Sequence, residues 1–275
     1  MKEIARLNLS QLIEQRLPHR KIPKFAVSLI KRIACEDEIN TLFASAPGKK
    51  NLDFIDACMQ YLNIRCQVVG EENLPLGDHK LIFASNHPQG GIEAICIAYI
   101  LGHKYDSKIK FYANELLSAL EPLNELFLPI YKHKMQSKEN IRIIHKFYQT
   151  DNHLVTFPAG VTSYKHKGKI VDHEWHKNFI TAAIQHQRDV VPLYFEARNS
   201  NMFYMIENFR KLIRSRINFE VLLFAQELFK QRGNSFTLFV GKPVKWETFD
   251  KTKSPKEWAT SMQELVFELP QNLSR

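Results

Sequence analysis

The stretch Leu81-Ile82-Phe83-Ala84-Ser85-Asn86-His87-Pro88-Gln89-Gly90-Gly91-Ile92-Glu93 decides how this chain is read. An apolar run of strand length, 81–84, enters a loop that holds a histidine, a proline, two glycines and a carboxylate. A second apolar run, Ala94 to Leu101, carries helix-compatible residues. A strand passing through such a loop into a helix is a building unit of α/β sheets. A histidine at a strand end can serve as a general base, because an unperturbed imidazole titrates near neutrality. On one continuous helix, six positions would set His87 and Glu93 about 240° apart, out of reach of each other. Pro88 and the Gly90-Gly91 pair favour a tight turn instead, one that returns Glu93 to the ring from the first helical turn. The expected result is a dyad in which Glu93 orients His87 and stabilises the imidazolium. The plainer alternative is a polar loop histidine, with Glu93 complementing the positive end of a helix dipole.

Three further apolar runs lie downstream. Phe127-Leu128-Pro129-Ile130-Tyr131-Lys132 is one, and Val190-Val191-Pro192-Leu193-Tyr194-Phe195 is another. Between them, Leu154-Val155-Thr156 leads into Phe157-Pro158-Ala159-Gly160-Val161-Thr162-Ser163. In order and spacing, the four pieces resemble the motif blocks of the glycerolipid acyltransferase superfamily, whose members acylate lysophosphatidic acid and related lyso-lipids. The first family block is Asn-His, four residues, then Asp, and resembles Asn86-His87, five residues, then Glu93. The second ends in Arg, where Lys132 stands here. The third is Phe-Pro-Glu-Gly-Thr-Arg-Ser, matched by Phe157, Pro158, Gly160 and Ser163. The fourth is a hydrophobic-Pro-hydrophobic strand, similar to Val191-Pro192-Leu193. The resemblance spans roughly residues 64 to 245, and an ordered set is far more specific than any single block. Asn-His-Pro-x-Gly-Gly, Phe-Pro-Ala-Gly and Arg198-Asn199-Ser200-Asn201 are similar to a bacterial subgroup commonly labelled hemolysin, a label that describes no chemistry.

The resemblance implies an O-acyltransferase with a thioester donor, acyl-CoA or acyl carrier protein, and a lyso-lipid hydroxyl acceptor. No other cofactor and no metal is implied. His87 would take the hydroxyl proton and Glu93 would orient it. Backbone N–H groups at Gly90, Gly91 or Gly160 would stabilise the oxyanion. Asn86, Lys132, Phe157, Pro158, Ser163 and Arg198 complete the expected substrate-binding set. The departures bear on the acceptor. Ala159 and Thr162 stand where the family has Glu and Arg, in the block associated with the acceptor's glycerol phosphate. Losing a guanidinium removes a bidentate phosphate ligand that lysine replaces only as a point charge. Lys165, Lys167, Lys169 and Arg198 keep an anionic acceptor plausible. A lysophospholipid is the family default, with a glycine- or ornithine-type lyso-aminolipid as the alternative. A catalytically impaired, membrane-peripheral lipid binder and a thioester hydrolase are the readings from other classes.

Periodicity divides the chain into a helical, basic segment over 1–62, an α/β core over 63–245 and a helical tail over 246–275 that ends near Leu269-Pro270. Within the core, helices are expected over 92–102, 114–126, 137–149, 175–187, 202–215 and 224–231, alternating with strands. The fold class is therefore α/β: a mixed, largely parallel sheet flanked by helices. The net charge is +9, so an anionic partner is favoured. Much of that excess sits early, in Lys2, Arg6, Arg16, Arg20, Lys21, Lys24, Lys31 and Arg32 against Glu3 and Glu14. Between 21 and 34 these charges interleave with Ile22, Phe25, Val27, Leu29, Ile30 and Ile33, as in a basic helix lying on anionic lipid. An amphipathic helix packed on the core has the same pattern.

No stretch approaches the roughly 20 apolar residues of a transmembrane helix, and the N-terminus lacks a signal-peptide apolar region. The expected location is peripheral, at the cytoplasmic face of the inner membrane. Cys35, Cys58, Cys66 and Cys96 have no paired spacing and read as reduced, small hydrophobes. His173-Glu174-Trp175-His176 places its histidines three apart, one short of a zinc-protease motif, and reads as a polar helix start. Lys165-His166-Lys167-Gly168-Lys169 reads as a solvated hairpin or a lipid-facing loop rather than a nucleic-acid contact, and no nucleic-acid motif is found elsewhere.

Overall fold

The computed structural model describes residues 5–16, 22–77, 79–114, 117, 120–130, 138–212 and 223–273. The apolar runs form β1 (Arg65–Val69), β2 (Leu81–Ser85), β3 (Ile109–Asn114), β4 (Phe127–Ile130), β5 (His153–Thr156), β8 (Asp189–Glu196) and β9 (Ser235–Val240). They join in one seven-stranded sheet of order β1-β9-β8-β2-β5-β3-β4. Every neighbouring pair is parallel except β8 with β9. A short antiparallel hairpin, β6 (Tyr164–His166) and β7 (Lys169–Val171), stands apart from the sheet.

Strand β2 is buried along its whole length, as a central parallel strand covered on both faces must be. Leu81 and Phe83 point to one face with α4 (Asn51–Leu62) and α5 (Ile92–Lys104). Ile82 and Ala84 point to the other, with α6 (Lys138–Tyr148), α7 (Asn178–His186) and α10 (Pro255–Leu273). The alternation follows from the two-residue side-chain period of a strand. Chain direction then fixes the site. The helix after β2 lies on the first face and the helix after the adjacent β5 lies on the second. The connections diverge at the carboxyl ends of those strands, and such a divergence leaves a crevice.

The flanking segments are packed onto this body. Ahead of α4 come α1 (Leu9–Arg16), α2 (Lys24–Ile33) and α3 (Glu36–Ser45). Leu7, Leu42, Phe43 and Ala46 are buried in the core that also holds Phe83 and Val191. α2 differs, with no buried residue, Phe25 76% exposed and Leu29 54% exposed. α10 lies across β8 and β9 through Ala259, Met262, Val266 and Leu269.

Three boundaries depart from the sequence reading. A helix was expected over 114–126, but β3 runs through Asn114 and the described remainder holds a 3-10 turn, Glu121–Leu126. Pro122 in its first turn and the three-residue spacing of buried Leu123 and Leu126 suit the tighter helix. The helix expected from 175 starts at Asn178, because Trp175 is buried ahead of it. The tail helix passes through Pro270 to Leu273. Leu269, seated against Gly241, anchors that last turn.

Candidate active site

β2 delivers the loop 86–91 at the crevice, and α5 begins immediately after it at Ile92. The turn closes as the glycines and proline predict. Gly90 adopts φ +100, and a Cβ there would sit 2.9 Å from the Thr162 methyl and 3.1 Å from the Phe224 ring. Both conformation and space therefore require glycine. The turn brings Glu93 Oε1 to 2.8 Å from His87 Nδ1, so the spacing of one extra residue still yields a paired dyad. The His87 side chain is 18% exposed while that of Glu93 is fully buried. His87 Nε2 has no partner among the described residues. The ring stacks on Phe157, with centroids 4.4 Å apart and planes at 19°.

The Glu93 carboxylate is the hub of the loop. Besides His87, it accepts the backbone N–H groups of Gln89 at 3.1 Å, Gly90 at 2.7 Å and Gly91 at 3.2 Å. Burial pushes its pKa up, but the His87 hydrogen bond and charge and the Gly90 amide outweigh burial and hold it below the ordinary value. These contacts correct one expectation. The amides of Gly90 and Gly91 are spent on Glu93, and that of Gly160 donates to Phe157 O at 2.9 Å. The first two hold the 86–91 turn and the third closes the turn at 157–160.

Asn86 also differs from its expected substrate contact. It is buried, its Nδ2 donates to Phe195 O at 3.0 Å and its Oδ1 accepts Phe195 N–H at 2.7 Å. It completes the edge of β8 and fixes where the loop leaves the sheet. Ser163 is buried as well, with its N–H donating to His87 O at 2.7 Å and its hydroxyl donating to Asp172. It therefore binds the third block to the first. Pro158 accepts from His176 N–H at 2.9 Å and is a turn residue. Lys132 lies outside the described residues.

Two contributors escaped the sequence reading. Asp172, just past β7, accepts the His87 backbone N–H with Oδ1 at 3.4 Å and Oδ2 at 3.3 Å, and Trp175 Nε1–H at 3.0 Å. Asn199 is buried with Nδ2 3.4 Å from Pro88 O and 3.5 Å from Gln89 O. Its side chain thus ties the segment after β8 to the loop 86–91. Ser200 alone caps α8 (Asn201–Leu212), accepting Phe203 N–H at 3.3 Å, and Asn201 Oδ1 accepts from Arg198 at 3.2 Å. Ser200 is itself anchored by buried Glu227 of α9 (Phe224–Phe229), through its N–H at 2.6 Å and its hydroxyl at 2.8 Å. Arg198 is exposed at the rim of an open depression lined by Tyr194, Glu196, Ala197 and Asn234.

The third block carries no charge toward the crevice. Ala159 is buried among apolar residues of the α7 and α10 face, and Thr162 places its methyl over Gly90. Lys165, Lys167 and Lys169 are exposed on the β6–β7 hairpin. What the arrangement offers is an imidazole with one nitrogen bonded to a buried carboxylate and the other unbonded among the described residues, beside an aromatic wall.

A family model described as acyltransferase matches residues 13–273. Two curated relatives are named lyso-glycine lipid O-acyltransferase. The one from Phocaeicola vulgatus is 41% identical, covering 91% of this chain and 90% of its own. The one from Bacteroides thetaiotaomicron is 39% identical, covering 96% of this chain and 97% of its own. The crystal structure of the 1-acyl-sn-glycerophosphate (LPA) acyltransferase PlsC from Thermotoga maritima aligns with 97% of this chain and 89% of its own, at 14% identity and a TM-score of 0.47.

Proposed function

This chain belongs to the acyltransferase family, and we propose that it transfers a fatty acyl group to the hydroxyl of a lyso-glycine lipid. The observation that carries the acceptor is the pair of relatives of that name, each about 40% identical along nearly its whole length. The reading selects the lyso-aminolipid alternative over the family's default lysophospholipid, and the third block agrees with it. With Ala159 in the core and Thr162 presenting a methyl, the third block offers no guanidinium to a phosphate monoester. An N-acylated glycine carries a single carboxylate, for which exposed Arg198 is the candidate ligand.

His87 Nε2 removes the proton as the acceptor oxygen attacks the thioester carbonyl carbon. The C–S bond then breaks, and the imidazolium returns the proton to the departing thiolate. Glu93, bonded to Nδ1, sets the tautomer and stabilises the imidazolium. The donor is acyl-CoA or acyl carrier protein, and its chain lies against apolar wall such as Phe157. No covalent acyl-enzyme is required.

The lipid substrates call for a membrane surface, and the basic helix is its candidate. On α2, exposed Phe25 and Leu29 lie on one stripe with Ile33, flanked by Lys24, Lys31 and Arg32. Ile33 packs against the cluster of Phe203, Tyr204 and Leu223, and the α8 residues Met202, Met205 and Phe209 are exposed. Apolar side chains beside basic ones suit an anionic interface. No described helix is long and apolar enough to cross a membrane.

Purified protein given a labelled acyl thioester and a panel of lyso-lipids tests the proposal. The expected outcome is ester formation on lyso-glycine lipid well above that on lysophosphatidic acid. Preference for lysophosphatidic acid would return the acceptor to the family default. Binding without turnover on any acceptor would leave a lipid-binding protein.

A further inference from the structure

His87 is held by more than its dyad partner. Its ring is fixed by Glu93 and Phe157. Its backbone is fixed separately by a closed ring of hydrogen bonds. The His87 N–H donates to both Asp172 oxygens, the Ser163 hydroxyl donates to Asp172, and the Ser163 N–H returns to His87 O at 2.7 Å. Trp175 Nε1–H, 3.0 Å from Oδ2, holds the far side of the same carboxylate. Asp172 is buried and forms no ion pair with a lysine or arginine among the described residues. A buried carboxylate without a cation is costly, and its position is poorly explained by stability alone.

We propose that Asp172 is a second positioning carboxylate of the site, fixing the main chain of the catalytic histidine while Glu93 fixes its ring. The inference rests on His87 as the general base. Asp172 reaches His87 from across the fold, since it follows the hairpin β6–β7 while His87 follows β2. The hairpin connection thereby acts as a brace, tying the third motif block to the first. Burial raises the Asp172 pKa, and the Ser163, Trp175 and His87 contacts offset part of that rise. A misplacement of about 1 Å in a reacting group can cost about 10²-fold in rate. A loop released from Asp172 would retain its ring contacts but lose the fixed position of Nε2 relative to the thioester.

Asp172→Asn keeps the size of the side chain while leaving one oxygen for three donors. The expected result is a 10- to 100-fold fall in kcat, with KM for donor and acceptor within about two-fold of wild type. The His87 amide should exchange hydrogen faster by more than the lowered melting temperature of the variant, with its unsatisfied buried donor, accounts for. Trp175→Phe removes one donor to Asp172 and keeps an aromatic ring, so a loss of kcat of about three- to ten-fold at constant KM is expected. This variant decides the matter if Asp172→Asn does not fold. Wild-type kcat in a folded Asp172→Asn protein, or in Trp175→Phe when that variant decides, would overturn the positioning role. So would a loss appearing only as raised KM. His87→Ala, measured alongside, separates the two claims. An active His87→Ala enzyme defeats the general-base reading, whereas an inactive one beside a fully active Asp172→Asn enzyme defeats this inference alone.

Discussion

The substitution Glu93→Gln preserves the outline of the side chain and removes its charge. The amide oxygen could still accept the His87 Nδ1 proton, so the ring would keep its tautomer. The attraction between a carboxylate and the imidazolium formed during reaction would be lost. At about 4 Å and an effective dielectric constant near 20, that attraction is about 4 kcal/mol. Each 1.4 kcal/mol is about tenfold in rate, and His87 is partly exposed, so a fall of about 10²- to 10³-fold in kcat is expected. KM should change little, because the imidazolium exists only on the way through the reaction. The amide also sets an NH2 group against the Gly91 N–H that Glu93 Oε2 now accepts, at a cost of about 1–3 kcal/mol in stability. Glu93 ionises below the ordinary range in the fold. Its stabilisation is therefore present above the unfolded-state pKa and lost as pH falls through the folded one, and the glutamine variant should lack that acid dependence. Steady-state turnover with labelled thioester, beside thermal melting, reads both effects. Turnover within about three-fold of wild type in the folded variant would refute the dyad's role.

Three other outcomes follow from particular residues. His153 is buried, its Nδ1 accepts Leu81 N–H at 3.3 Å, and burial first, then Arg188 and Lys108, lower its pKa to about 4. Its neutral form is favoured in the fold, so stability should decline as pH falls from about 6.5 toward 4. A melting temperature constant across that window would contradict the assignment. Arg198→Ala should raise acceptor KM several-fold with donor KM unchanged, measured with lyso-glycine lipid. Replacing Lys24, Lys31 and Arg32 with glutamine should weaken binding to anionic vesicles by about 1 kcal/mol per charge. Equal binding of the wild type to neutral and anionic vesicles would rule out an electrostatic dock.

What the sequence made legible was mostly local. A strand, a glycine turn and a helix lie in succession over 81–104, so the chain itself brings His87 and Glu93 together. Alternating apolar runs likewise pointed to the α/β class. Partners set by the tertiary fold were not legible. Asn86 meets Phe195 and Asp172 meets His87 only because β8 and the hairpin return to the carboxyl end of β2. The glycine amides illustrate the same limit, since a free backbone donor looks identical in sequence to one already bonded to Glu93. Asn199 and Ser200 are adjacent in sequence, yet Ser200 caps α8 while the Asn199 side chain turns to the loop 86–91. The 3-10 turn at 121–126 failed for a different reason: its apolar spacing of three is shared with the α-helix.

The most direct test of the account compares wild-type and His87→Ala protein for ester formation on lyso-glycine lipid from a labelled acyl thioester. The account predicts clear turnover by the wild type and a loss of about 10²–10⁴-fold in the folded variant. Undiminished ester formation without the imidazole would contradict it.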